Sequence, residues 1–284
     1  MSGDTVNLRI LGPLQVWRGG VEVDPGPRQQ RGLLAVLLAR PGHAAGVGEL
    51  MELLWGPEPP PSAVNSIQKY VGTLRRLLEP GLPPRSAGAY LTRHGGAYRF
   101  TAGPETLDLV RFRRLVAQAE ACANLERSLD GYVAALRLGR GAAGAGLADS
   151  PEAGAVFANL DREFSDAVVA AARVAVRLRQ PDRVLAPLRR AAGAEPLNEV
   201  LQASLVTTLA AAGRLAEAVA AYRSARRRLS EDLGVEPGPE LRAAYLTVLE
   251  RDDILIDELI ELCDRLPVLL GRLSARLAAS GGAP

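Results

Sequence analysis

Apolar and polar residues alternate over the first 24 residues of the chain, as they do in short strands with one buried face. The runs LRIL, LQVW and VEV are separated by Gly12-Pro13 and Gly19-Gly20, which are typical turn residues. This pattern predicts a small antiparallel sheet at the amino end.

Helical spacing of leucines follows this sheet. It predicts three helices, at residues 28–40, 47–56 and 62–78, and the rigid PEPPP segment forces a sharp connection between the second and the third. The stretch YLTRHGGAYRF then predicts two short strands joined across Gly95-Gly96. The expected order is therefore sheet, three helices and hairpin, with Arg93 and His94 near the hairpin tip.

The third helix has two unlike faces when each residue is advanced by about 100°. The expected core stripe consists of Val64, Ile67, Val71, Leu74 and Leu78. The opposite side carries Asn65, Lys69, Gly72 and Arg76, flanked by Ser62 and Thr73 and bordered by Gln68 and Arg75. Residues 62–78 contain no carboxylate, and their amide, hydroxyl and cationic groups suit base edges and phosphates. An ordinary solvated face would have a similar composition, so this helix alone does not decide for DNA.

The chain from Asp108 onward is rich in alanine and predicts an all-helical region. Candidate helices cover residues 108–122, 125–138, 151–179, 182–193, 197–212, 214–230 and 238–251. The segment EVLQASLVTTLAAAGRLAEAVAAYRSARRRL predicts a tetratricopeptide-like helix pair, with Ala218, Tyr222 and Ala225 at close-packing positions. The glycine-rich stretch at 139–151 predicts a loop. Helix pairs of this kind are usually binding scaffolds.

Charge is balanced overall, with 34 basic and 32 acidic residues, but residues 1–100 carry an excess of four positive charges. Such an excess is compatible with nucleic-acid binding and does not require it. Lys69 is the one lysine beside 33 arginines. It either serves a contact on the polar face of the third helix or is a codon accident in a GC-rich genome, and both interpretations stay open.

Composition also bears on compartment and on catalysis. Cys122 and Cys263 are too few for a disulfide framework, and with His43 and His94 they form no metal-ligand cluster, so we expect reduced thiols and neither a metal nor a cofactor. The opening residues lack a secretion pattern and no stretch reaches about 18 apolar residues, so we expect a cytoplasmic protein without membrane contact. No phosphate-binding loop or nucleophile–base pairing is present, so an enzyme is the least favoured class.

Several segments together resemble a known family. The order LRILGPLQV, GPRQQRGLLAVLLARPG, LLWGPEPPPSAVNSIQKYVGTLRRLLEP and TRHGGAYRF resembles the OmpR-type winged-helix domain of the Streptomyces antibiotic regulatory proteins. The later runs LDLVRFRRLVAQAEA and GRLAEAVAAYRSARRRLSEDLGVEPGPELRAAYLTVL resemble the bacterial transcriptional activator domain of that family. The fold class expected is therefore mainly α: a winged helix-turn-helix with a small sheet and wing hairpin at 1–104, then tetratricopeptide-like helices at 105–252.

The resemblance implies a transcriptional activator of a biosynthetic gene cluster. Members bind direct repeats in double-stranded promoter DNA as side-by-side protomers, so a homodimer on DNA is expected, and they recruit RNA polymerase, often through its sigma factor. The resemblance places helix contacts to DNA at Asn65, Gly72, Thr73 and Arg75 and wing contacts at Thr92 and His94. Our projection of the helix adds Gln68, Lys69 and Arg76, and the basic hairpin adds Arg93. The loop from Trp55 to Pro61, including Glu58, resembles a segment that often meets the polymerase.

The sequence departs from the family pattern in three places. Gly72 and Thr73 are less basic than the corresponding residues of many relatives, so we expect a weaker helix contact. His94 stands where arginine is common, so we expect weaker attraction to phosphate at the wing. The stretch GRGAAGAG stands where the family usually has the end of a tryptophan-containing helix, and we expect it to loosen that part of the second domain.

The carboxyl end, residues 253–284, lies beyond the resemblance. Its apolar residues recur at alternating steps of three and four, which indicates a coiled-coil seam of about three heptads interrupted by Pro267. The seam consists of Ile256, Leu259, Cys263, Leu266, Leu270, Leu273 and Leu277. The segment either packs on its own second domain or mediates dimerisation or partner binding.

A different functional class stays open at the level of the whole chain. The helical second domain is also compatible with an adaptor or ligand-responsive regulator in which DNA binding is subordinate or repressive.

Overall fold

The computed structural model describes residues 5–83, 86 and 88–249. Contacts divide the chain into two compact units, Met1–Leu178 and Arg179–Pro284. The predicted coiled-coil seam at 253–284 lies outside the described residues. Among the described residues, no helix combines the length and the apolar character needed to cross a membrane.

The first unit begins with strands and helices in the expected order. Its first part contains β1 (Val6–Arg9), β2 (Gln15–Arg18), β3 (Val21–Glu22), α1 (Arg28–Ala39), β4 (Ala44–Gly46), α2 (Val47–Trp55), α3 (Ala63–Leu78), β5 (Leu91–His94) and β6 (Ala97–Phe100). The strands form two three-stranded antiparallel sheets, ordered β1-β2-β3 and β4-β6-β5. The sequence pattern missed β4, a three-residue strand that pairs Ala45 with Tyr98 of the hairpin.

The core of this part is apolar and lies beneath α1, α2 and α3. The leucines of α1 at positions 33, 34, 37 and 38 and those of α2 at positions 50, 53 and 54 are buried, as their spacing predicts. Burial of such side chains is the main source of stability for a small domain. The packing of α1 and α2 against α3 therefore fixes the orientation of α3.

Three more helices complete the first unit: α4 (Asp108–Ala121), α5 (Leu125–Leu136) and α6 (Pro151–Arg177). Asp108 ties α4 to the segment after β1, because its buried carboxylate accepts hydrogen bonds from the backbone N–H groups of Ile10 and Leu11 at 3.0 and 3.1 Å. It also accepts one from the N–H of Leu109 at 2.7 Å. Burial raises the pKa of Asp108, and these N–H donors oppose the rise only in part.

The glycine-rich loop is anchored, contrary to our expectation that it would loosen this region. The N–H of Arg140 donates to the carbonyl of Leu11 at 2.8 Å, and the N–H of Gly144 donates to that of Gly12 at 3.0 Å. Ala143 and Leu147 are buried. The loop therefore holds the first sheet against α6, since its backbone donors find partners far away in sequence.

The start of α6 makes further ties to the helices that precede the wing. The hydroxyl of Ser150 caps α6 by accepting from the N–H of Ala153 and donates to the carbonyl of Leu53 at 2.9 Å. Arg28 pairs with Asp149 at 2.5 Å. These contacts explain why α4, α5 and α6 belong to the same compact unit as the winged-helix part.

The second unit is all-helical over its described residues. It contains α7 (Asp182–Ala194), α8 (Glu199–Ala211), α9 (Leu215–Arg228), a π-helical turn (Leu229–Leu233) and α10 (Pro239–Leu249). Ala218, Tyr222 and Ala225 are buried where α9 packs on its neighbours, as the tetratricopeptide-like spacing predicts. Tyr222 stacks on Tyr245 of α10 with ring centroids 3.9 Å apart. The sequence pattern missed the π-helical turn.

Candidate nucleic-acid interface

Helix α3 presents one apolar face to the protein and one polar face to solvent. Ala63, Ile67, Val71, Leu74 and Leu78 are buried. Our assignment of Val64 to this stripe is wrong, because its side chain is 43% exposed. Ala63, one residue earlier and 1% exposed, takes the core position beside Ile67, so the stripe begins at a slightly different angle on the helix.

The exposed face contains most of the residues that we expect to contact DNA. Asn65, Gln68, Lys69 and Arg76 are exposed, and Gly72 and Thr73 are half-buried. A side chain added at Gly72 would meet nothing within 4 Å, so the middle of this face is open. From Asn65 to Arg76 the face extends about 17 Å along the helix axis at 1.5 Å per residue. The major groove of B-DNA is wide enough to admit an α-helix.

Hydrogen bonds within α3 arrange part of this face. The hydroxyl of Thr73 donates to the carbonyl of Lys69 at 3.1 Å, and a guanidinium nitrogen of Arg76 donates to the Thr73 hydroxyl at 3.4 Å. Thr73 therefore positions Arg76 along the helix while its own donor is occupied. Arg75 and Arg76 also lie in the last turn, where the negative end of the helix dipole favours cations.

The carboxyl end of α3 is joined to the root of the wing. Arg75 is half-buried and its Nε donates to the carbonyl of Leu91 at 2.8 Å. The carboxylate of Glu79 accepts the N–H of Ala89 at 2.9 Å and that of Tyr90 at 3.5 Å. A Cβ at Gly88 would lie 2.5 Å from a Glu79 oxygen, so glycine permits this close approach. We call Arg75, Glu79 and their wing partners the wing clamp.

The wing is the β5–β6 hairpin, and its turn needs two glycines with positive φ. Gly95 has φ 54° and Gly96 has φ 90°, as in a two-residue turn of type I′. Arg93 and His94 are exposed at the end of β5, and the Arg93 guanidinium lies 5.8 Å from the Tyr98 ring centroid. Thr92 is half-buried, and its hydroxyl donates to the Arg99 carbonyl at 3.4 Å. The wing therefore carries exposed donors on a short, rigid hairpin.

The connection from α2 to α3 contains the expected polymerase contacts. Trp55 is the last residue of α2 and is half-buried, whereas Glu58 is exposed. Gly56 ends the helix with φ 69°, and its N–H donates to the carbonyl of Glu52 at 2.8 Å. The hydroxyl of Ser150 donates to the carbonyl of Leu53, so the end of α2 that precedes this loop is tied to the start of α6.

Two residues of this surface escaped the sequence interpretation. Val64 lies exposed in the first turn of α3, where an apolar side chain can contact a thymine methyl group. Arg99 lies directly opposite Thr92 in the β5–β6 ladder, so both lie on the same face of the wing. Cross-strand register identifies Arg99 once the hairpin turn is fixed, but no periodic signal distinguishes Val64 from a core residue.

The described part of the chain contains no group of three or more His, Cys, Asp or Glu side chains arranged to hold a metal ion. The surface built by α3 and the wing carries hydrogen-bond donors, cations and the two side-chain amides of Asn65 and Gln68. The residues named for it include no acid–base or nucleophilic set. Such a surface can bind phosphates and read base edges.

Comparison with known proteins decides the family. The model described as "Bacterial transcriptional activator domain" matches residues 107–249, and "Transcriptional regulatory protein, C terminal" matches residues 23–100. The transcriptional regulator RedD of Streptomyces coelicolor is 31% identical over 266 residues, which cover 89% of this chain and 73% of RedD. The chain belongs to the Streptomyces antibiotic regulatory protein family. The resemblance found in the sequence is thereby confirmed, and this family consists of transcriptional regulators and not of enzymes.

Two further relatives define how far the likeness extends. The regulatory protein AfsR of Streptomyces coelicolor is 33% identical over 251 residues, and this chain spans about a quarter of its length. The solved structure of Mycobacterium tuberculosis EmbR in complex with a low affinity phosphopeptide has a TM-score of 0.70 and 32% identity. That match covers 87% of this chain and 65% of EmbR. The expected fold class, a winged helix followed by an all-helical domain, is confirmed.

Proposed function

We propose that this protein is a transcriptional activator of a biosynthetic gene cluster, which binds direct repeats in promoter DNA as tandem protomers and recruits RNA polymerase. The observation that carries the proposal is the exposed face of α3, which has amide, hydroxyl and cationic groups, has no carboxylate from Ser62 to Leu78, and is joined to a wing. Membership of a family of transcriptional regulators supports it.

The two kinds of DNA contact divide between the residues by chemistry. Lys69, Arg76 and Arg93 supply salt-sensitive attraction to phosphates, which is independent of base sequence. Asn65, Gln68 and Thr73 are the candidates for base edges, and each good contact of this kind discriminates by about 1–3 kcal/mol. A single winged helix holds few such contacts, so tandem protomers gain affinity through effective concentration.

Recruitment of polymerase, including its sigma factor, is assigned to the α2–α3 loop. Trp55 offers a half-buried aromatic surface, and aromatic residues are enriched where proteins meet. Glu58 is exposed and suits the polar rim of such a contact. The hydrogen bond from Ser150 to Leu53 holds the end of α2, from which this loop starts.

Footprinting of the full chain on DNA from its own genomic neighbourhood tests the DNA-binding part. The proposal expects two or more protected half-sites in direct orientation, spaced by whole helical turns of about 10 bp. Protection that is uniform along the DNA, or absent at low salt, would contradict it.

A promoter fusion tests the activating part separately. Replacing Glu58 by Ala is expected to lower reporter output while the footprint is unchanged, and Glu52→Ala, an exposed glutamate of α2, serves as the matched control. Higher reporter output on deletion of the protein would favour repression and the adaptor-type alternative.

A further inference from the structure

Two arginines meet on the outer face of the first sheet without a carboxylate partner. An Nη1–H of Arg140 donates to the Oε1 of Gln15 at 2.9 Å, and an Nη1–H of Arg9 donates to the same oxygen at 3.4 Å. Two full positive charges therefore share one neutral acceptor. We call Arg9 and Arg140 the arginine pair.

Other arginines of the described residues show what a simple structural role looks like. Arg28, Arg40, Arg113 and Arg226 each pair with a carboxylate at 3.0 Å or less. In contrast, no carboxylate oxygen of the described residues lies within 4 Å of the guanidinium groups of Arg9 and Arg140. Like charges held close together oppose folding unless a ligand or a counter-charge compensates them.

The surrounding residues hold the arginine pair in place. Arg9 lies on β1, its Nε donates to Asn7, and its guanidinium lies 5.4 Å from the ring centroid of Trp17. The backbone of Arg140 is fixed by its N–H bond to Leu11. The Gln15 oxygen holds the guanidinium group of Arg140 at the end of this fixed backbone, so both groups are positioned before a ligand arrives, which lowers the entropy lost on binding.

Two nearby acidic residues are already engaged. Glu22 accepts the Nε2–H of Gln15 at 3.2 Å and thereby turns the Gln15 oxygen toward the arginines. Asp108 is buried and directs its carboxylate to backbone N–H groups. Burial, and next the charge of Arg140, lower the pKa of Arg9, while Asp108 and Glu22 act in the opposite direction. Because the Gln15 oxygen carries no full charge, it compensates the repulsion between the two arginines only in part.

We propose that the arginine pair is a binding site for a small oxyanion of the phosphate class, either inorganic phosphate or the phosphate group of a metabolite. A phosphate presents several oxygens and accepts from two guanidinium groups at once, displacing the single oxygen of Gln15. Arg9 is half-buried and Arg140 is exposed, so the site opens to solvent.

A bound oxyanion would change the contact between the sheet and the glycine-rich loop. Arg140 belongs to that loop and Arg9 to β1, so the ligand bridges the two segments that Leu11, Gly12 and Gly144 already join. Repulsion between the arginines becomes attraction to a common partner, and the first unit is stabilised by linkage. The argument for this site does not rest on the DNA-binding function proposed above.

The test is thermal unfolding of the full chain, followed by tryptophan fluorescence, with inorganic phosphate or a sugar phosphate added at constant ionic strength. Sodium chloride provides the ionic-strength control. The proposal expects phosphate to raise the Tm of the wild type, and Arg9→Gln or Arg140→Gln to weaken the apparent affinity about tenfold each. Arg162→Gln is the matched control, because Arg162 is exposed and donates to the neutral Asn159.

A variant that is expected to bind phosphate more tightly distinguishes loss of the site from simple loss of folding. Glu22→Gln removes the neighbouring negative charge and keeps an acceptor, so it is expected to tighten phosphate binding several-fold. A Tm rise that is equal in the wild type and the Arg9/Arg140 double variant would overturn the proposal. A response matched by sodium chloride would also overturn it, as would a loss of DNA affinity in either arginine variant without a loss of phosphate response.

A sugar phosphate that binds more tightly than inorganic phosphate identifies the metabolite source, and equal affinity identifies free phosphate.

Discussion

The buried carboxylate of Asp108 offers the sharpest test of how the first unit is held together. Replacing it by Ala removes the acceptor for the N–H groups of Ile10 and Leu11, which lie about 100 residues away in sequence. Each buried donor left without a partner costs about 1–3 kcal/mol, so Asp108→Ala is expected to lower the free energy of unfolding by roughly 2–5 kcal/mol.

Intrinsic fluorescence measures this loss selectively. The chain has two tryptophans, Trp17 and Trp55, and both lie in the first compact unit, so urea unfolding followed by their emission reports that unit. Asp166→Ala, an exposed position on α6, is the control and is expected to stay within about 0.5 kcal/mol of the wild type. A loss for Asp108→Ala no greater than that of the control would refute the reasoning.

The pH dependence of the same carboxyl has a definite sign. Burial raises the pKa of Asp108 in the folded chain above its unfolded value of about 3.9. Its contribution to stability is therefore fully present below that unfolded value and is lost as pH rises through the folded pKa. The stability difference between wild type and Asp108→Asn should be largest below about pH 4 and shrink as pH rises toward neutral. A difference that grows with pH would contradict this assignment.

Three further substitutions test the wing clamp, the glycine-rich loop and the first turn of α3. Glu79→Gln should speed hydrogen exchange at the amides of Ala89 and Tyr90 and weaken DNA binding several-fold, whereas Glu105→Gln, which loses only an exposed ion pair, should do neither. Gly144→Ala should lower the free energy of unfolding in urea by roughly 2–4 kcal/mol, since φ is 58° and the new Cβ would lie 2.7 Å from Phe157. Gly146→Ala also has a positive φ but would meet no atom within 4 Å, so its free energy of unfolding should fall less. Val64→Ala should reduce the preference for the promoter site over random DNA in competition assays with little change in Tm, and Val21→Ala, 66% exposed on β3, should leave that preference intact.

Periodicity predicted the helices well because their buried faces repeat regularly. The bounds expected for the first three helices differ from those observed by one residue at most at each end. The stripe of Ile67, Val71, Leu74 and Leu78 is buried as expected. Val64 and Ala63 lie on either side of this stripe, and which of them is buried depends on the tilt of α3 against α1 and α2. That tilt is a tertiary property, which spacing along one helix does not contain.

The glycine-rich loop shows a second limit of sequence reasoning. Its composition correctly indicated a loop, but the partners of its N–H groups are carbonyls of Leu11 and Gly12, more than 120 residues earlier. Long-range backbone pairing of this kind has no local signature. For the same reason the sequence could place Arg75 on the border of the polar face but could not show that its Nε holds Leu91 of the wing.

The candidate DNA surface was predictable to the extent that it follows a helix face. Asn65, Gln68, Lys69 and Arg76 are exposed together, which the helical projection required. Their contacts with DNA stay a prediction, as do the wing contacts at Thr92, Arg93 and His94. Lys69 has no described hydrogen bond or ion pair from its ammonium group that would give it a structural role.

The salt dependence of DNA affinity for wild type and Lys69→Ala tests the central claim most directly. With the chain's own promoter DNA, the account predicts that the variant binds more weakly on every sequence and that the slope of log K against log salt flattens by about one unit. Arg111→Ala, an exposed arginine of α4, should leave the slope unchanged. An unchanged slope and affinity for Lys69→Ala would contradict a DNA-facing α3 and favour an incidental lysine.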